Sequence, residues 1–150
     1  DQGSNPDAVL IWAANAGGTA SVQRNLDALR LMERIEQRLL KLSDKFPTYE
    51  SGAAYRALAS IYLNAPRFIS VGSAKKAAQF AAKAFAQDPN NPANMLIMAR
   101  VEADNGNKQK AVELYREVLS RAKQELYPLD YIAWHNEALE GLDEAGAIRL

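Results

Sequence analysis

Cysteine is absent and histidine occurs once, at His135, in a chain of 150 residues. Without thiols there is no disulfide, no thiolate nucleophile and no cysteine-ligated metal. A lone imidazole also removes every two-histidine metal site and leaves at most one histidine base. Charge of one sign is not in excess either: 18 lysines and arginines balance 18 aspartates and glutamates. With no long block of either sign, nothing offers an electrostatic footprint for a nucleic-acid backbone or an anionic membrane. The longest apolar run, Ala8 to Ala14, falls far short of the roughly 20 residues that cross a bilayer, so membrane insertion of this region is not expected. A phosphate-binding glycine loop, a calcium-binding loop and a Gly-x-Ser-x-Gly elbow are all missing. No catalytic residue, metal or cofactor is therefore assigned. Acid pairs such as Glu33 and Glu36 are expected on exposed helix faces rather than in a two-carboxylate hydrolytic site.

What the chain does have is helical periodicity. Asn5-Pro6-Asp7 supplies a capping side chain, a proline whose missing N–H costs nothing in the first turn, and an acid at the positive end of the dipole. That helix is expected to end at Gly17-Gly18, with Ser21 capping a second in which Val22, Leu26, Leu29, Met32, Ile35, Leu39, Leu42 and Phe46 recur at steps of three and four. Pro47 ends it. Ser51 is expected to open a third helix, stopped near Ala65 by Pro66. Ser73 caps a fourth through Ala77, Ala81 and Ala84 to about Asp88, and Asn91-Pro92 starts a fifth that closes at Asn105-Gly106. Asn107 begins a sixth with Ala111, Leu114, Tyr115, Val118, Leu119 and Ala122, and Pro128 precedes a seventh with Tyr131, Trp134, Ala138, Leu139 and Leu142. No segment alternates with the two-residue period of a strand, so the expected class is all-α, with about seven helices in one domain.

Part of this pattern occurs twice. In residues 52–89, Tyr55, Leu58, Ala59 and Tyr62 are followed by Ala77, Ala81, Ala84 and Pro89. In residues 92–125, Met95, Met98 and Ala99 are followed by Gly106, Ala111, Tyr115 and Val118. A repeat of about 34 residues built from two helices is the signature of a stacked helical-pair array. Small residues let helices approach while their large neighbours fill the gap opposite. The order of these residues resembles the tetratricopeptide repeat family, which implies a short right-handed α-solenoid of stacked antiparallel helix pairs. Three departures accompany the likeness: an insertion at 65–73, Glu102 where the family places tyrosine, and a closing proline displaced to Pro128. Residues 6–47 would be a degenerate first pair and 128–143 a capping helix, with Trp12 and Trp134 closing the two ends.

A narrower likeness lies between Ala54 and Asn91. There Asn64-Ala65-Pro66, Val71-Gly72-Ser73-Ala74-Lys75-Lys76-Ala77 and Asp88-Pro89-Asn90-Asn91-Pro92 resemble the periplasmic tetratricopeptide proteins associated with tripartite, ATP-independent (TRAP) transporters. That resemblance implies a periplasmic location and a transport component, such as a solute-binding protein, as partner. The polar lead-in Asp1-Gln2-Gly3-Ser4, without an initiator methionine, agrees with an upstream export signal or lipid anchor. A cytoplasmic location is the alternative.

The family resemblance also implies a site. Its partners lie in a concave groove lined by the first helix of each pair, which here corresponds to Arg56, Ser60, Leu63 and Asn64, then Leu96, Arg100, Ala103 and Asp104. Residues four apart share a helix face, so Arg56, Ser60 and Asn64 form a polar strip, and Arg56 with Arg100 could fork a peptide carboxylate. The competing reading makes Arg100 and Asp104 an exposed helix pair. The insertion bearing Phe68, Ile69 and Val71 either plugs the core of its own helix pair or walls a ligand pocket or interface. Two functions are carried forward. One is a non-catalytic module binding a peptide or protein in its groove, as a periplasmic accessory to transport. The other is a carrier handing an apolar small molecule to a transporter component.

Overall fold

The computed structural model describes residues 5–22, 26–65 and 71–149. Seven α-helices are found there: α1 (Pro6–Val22), α2 (Leu26–Lys45), α3 (Ala53–Asn64), α4 (Ala74–Gln87), α5 (Pro92–Asp104), α6 (Lys108–Arg121) and α7 (Tyr131–Glu144), with no strand among the described residues. Each helix packs on the next in sequence, and α1, α3, α5 and α7 also touch in succession. The helices thus stack as antiparallel pairs, with first helices side by side in one layer and second helices in the other. None of the described helices is long and apolar enough to cross a membrane.

Local signals explain most boundaries. Asn5 Oδ1 accepts from the backbone of Asp7 at 3.0 Å and of Ala8 at 3.4 Å; Ser73 Oγ accepts from Lys76 N and Asn91 Oδ1 from Ala93 N. Gly106 ends α5 with φ of 82°, a left-handed value that glycine adopts without a steric penalty.

Two boundaries differ from expectation. α1 does not stop at Gly17-Gly18 but continues to Val22, because burial of Ala13 and Ala20 holds the helix across a pair that costs about 1 kcal/mol per glycine relative to alanine. Ser21 therefore belongs to α1 and does not cap α2. Nor does Ser51 open α3. A 3₁₀ turn at Tyr49–Ser51 comes first, Gly52 is the cap, and Glu50, Ser51 and Gly52 have φ of 43°, 55° and 88°. Tyr49 anchors that turn to the start of α1 through a 2.6 Å bond from its hydroxyl to Asp7 Oδ1, which pushes the phenol up to about 12.

The interior falls into two clusters. One joins Val9, Ala13, Ile35, Leu39, Leu42, Leu58, Tyr62, Ala77 and Ala81 with Ile97 and Val101; the other joins Met95, Leu96, Tyr115 and Val118 with Ala138 and Leu142. The repeat alanines Ala59, Ala77, Ala81, Ala84, Ala99 and Ala111 are fully buried, as close helix approach requires. Trp12 and Trp134 each pack against one of the clusters.

Glu36 corrects the expectation of an exposed acid. It is buried, and its Oε1 accepts from Tyr62 Oη at 2.7 Å and Lys76 Nζ at 3.1 Å. The second repeat places a carboxylate against the corresponding lysine. Glu102, standing where the first repeat has Tyr62, is buried and accepts from Lys110 Nζ and from Asn107 Nδ2. Lys76 and Lys110 each precede a buried alanine, Ala77 and Ala111, so one lysine position serves a carboxylate from a preceding pair or from its own pair.

Candidate functional site: the inner face of the first helices

The layer made by α3, α5 and α7 carries the residues expected to meet a partner. Along α3, Ser60 Oγ accepts from Asn64 Nδ2 at 3.2 Å, and Asn64 Oδ1 accepts from Arg100 Nη2 on α5 at 2.8 Å. Arg100 continues the chain of contacts to α7, where its Nε lies 3.4 Å from Glu137 Oε1. Asn64, Arg100 and Glu137 thus run across all three helices. Leu63 is half-buried against the first core cluster, while Ala103 and Asp104 are exposed.

Arg56 stands apart from that line. Its Nη1 donates to Glu50 O at 2.9 Å, Ser51 O at 3.2 Å and Asn94 Oδ1 at 2.8 Å. Asn94 is itself fully buried and donates through Nδ2 to Ser51 O and Asp88 O, both at 3.0 Å. Burial lowers the guanidinium's pKa while the charge of Glu50 raises it. Arg56 and Asn64 are two turns apart on α3, about 12 Å along the axis, and Arg100 is tied to Asn64. Each guanidinium is thus held by partners within this chain, at opposite ends of α3. Leu96 is 4% exposed and lies in the cluster with Ala138 and Leu142 of α7, a helix that packs on α5.

Phe68 and Ile69 lie outside the described residues. Val71 is half-buried and packs against the first core cluster.

An open cleft of about 610 Å³ lies between α5, α6 and α7, lined by Arg100, Tyr115, Ala133, Asn136, Glu137, Glu140, Gly141 and Glu144. Burial raises the pKa of Glu137 against the opposing field of Arg100. The signal that could have located the cleft is the spacing of Glu137, Glu140 and Glu144, which puts three acids on one face of α7.

A family model described as tetratricopeptide repeat matches residues 68–128. Residues 68–128 carry the tetratricopeptide signal. The match spans α4, α5 and α6, less than half of the chain, and supports the family resemblance drawn from Met95, Ala99, Ala111 and Tyr115. No curated protein and no solved structure matches the chain. Tetratricopeptide repeats are interaction modules, and here the first helices leave Ser60, Asn64, Ala103 and Asp104 at least partly open on the inner layer.

Proposed function

We propose that the chain is a non-catalytic tetratricopeptide-type module that holds a peptide or a segment of a partner protein on the inner face of α3, α5 and α7. The observation that carries this reading is the polar line from Asn64 through Arg100 to Glu137, which crosses three first helices and borders an open cleft. A segment laid across parallel helices meets such a line at each one. Residues 6–47 serve as a degenerate first pair and α7 as the closing helix. The carrier reading requires an enclosed apolar pocket, whereas this cleft is open and rimmed by charge, which favours the peptide. The periplasmic location and the link to transport belong to the same proposal and rest on the resemblance of residues 54–91 alone.

The test is steric. Ser60→Trp and Ala103→Trp should abolish retention of the natural partner by the immobilised protein, while Gln79→Trp, exposed on α4 in the other layer, should leave it intact. Equal retention by all three variants would remove the inner face as the binding surface.

A further inference from the structure

Tyr115 is only 4% exposed, yet its hydroxyl forms no hydrogen bond with any described residue. Its ring passes over Gly141, where an added Cβ would stand 2.3 Å from Cζ, the carbon bearing the hydroxyl. Glycine at that position lets the tip of the phenol reach the cleft, where Arg100, Glu137 and Glu144 all act on it electrostatically. A buried hydroxyl without a partner is costly, so an orphan aimed into an open cleft marks a place where a ligand supplies the missing bond.

The chemistry of that ligand follows from the groups left over. Arg100 is already engaged by Asn64 and Glu137. Glu140 and Glu144 make no ion pair with a described residue, and with the Tyr115 oxygen they present acceptors to an incoming group. The described residues include no set of acids placed to hold a metal ion. A donor-only cation with an extended stem matches the set. Resting on the function proposed above, we infer that the cleft seats a lysine or arginine side chain of the bound segment. The partner is therefore cationic at this point, opposite in sign to the carboxylate that Arg56 and Arg100 suggested.

The experiment is an amide chemical-shift titration of the whole chain with a short capped glycine–serine peptide carrying paired arginines, beside a matched peptide carrying paired glutamates. The arginine peptide should shift Gly141 and Glu144 saturably and bind more weakly as salt rises. Combining Glu140→Gln with Glu144→Gln should weaken it about tenfold. Tyr115→Phe should also weaken binding while leaving the free protein at least as stable, since only an unpaired hydroxyl is lost. Shifts with the glutamate peptide, arginine binding indifferent to the glutamine pair, or the same shifts appearing with protein concentration alone, as for a second copy, would each overturn the inference. A natural partner that is lost on Ser60→Trp but unaffected by the glutamine pair would overturn it too and leave the proposed function standing.

Discussion

Arg56 and Asn94 meet at 2.8 Å across the boundary between the two repeats, and both are tied to Ser51 O in a turn of three left-handed residues. Consecutive positive-φ residues other than glycine are costly, and this pair of side chains offsets the cost by satisfying the carbonyls that the turn exposes. Asn94→Ala removes one bond each from the part-buried carbonyls of Ser51 and Asp88 and one from the Arg56 guanidinium, and should destabilise the protein by about 1–3 kcal/mol in urea unfolding. Arg56→Ala should cost about 1–2 kcal/mol. A loss below the error of the measurement for both variants would show that the turn holds itself.

The second repeat carries its own pH dependence. Hydrogen bonds from Lys110 and Asn107 hold the Glu102 carboxyl below its usual 4.5, outweighing the opposing effect of burial. A depressed folded pKa gives stability that is full above the unfolded value and is lost as pH falls through the folded one. Because Lys110 is more than half exposed, the contribution is on the order of 1 kcal/mol. Glu102→Gln should therefore flatten the fall in stability between neutral pH and the acid limb, measured by unfolding across that range.

Gly141 lies against Tyr115 with no room for a methyl group. Gly141→Ala should cost about 1–3 kcal/mol, the range for overpacking a core. In a Tyr115→Leu background the same substitution should cost clearly less, because the ring it strikes is gone. Additive losses would place the strain elsewhere.

Val71 packs on the first core cluster from the far end of the insertion. Val71→Ser should lower stability by about 1 kcal/mol without changing the sedimentation of the protein. A change in association state with unaltered stability would make the insertion an interface instead of a plug.

How much of this was legible in the sequence depends on range. Asn5, Ser73 and Asn91 mark helix starts through side-chain bonds to neighbours two or three residues away, and Gly106 marks a helix end by the left-handed backbone it adopts, so the residue types alone announce them. The buried alanines follow from a period that any helix pair must keep. The burial of Glu36 is not legible in the sequence because its partners, Tyr62 and Lys76, sit on α3 and α4, and only packing brings them together. Leu96 occupies the position of Arg56 in the next repeat, but α7 contributes to the cluster that covers it. The orphan hydroxyl of Tyr115 was hidden for the same reason: Tyr115 reads as an apolar-stripe residue until Gly141 is placed beside its ring.

The central claim is that partners meet the face shared by α3, α5 and α7. Photo-cross-linking tests it most directly, with a benzophenone side chain placed in turn at Ser60, Ala103 and Asn136 on that face, and at Gln79 and Glu113 on α4 and α6. The account predicts adducts with the natural partner from the first three positions and none from the last two; adducts from Gln79 or Glu113, with Ser60, Ala103 and Asn136 silent, would contradict it.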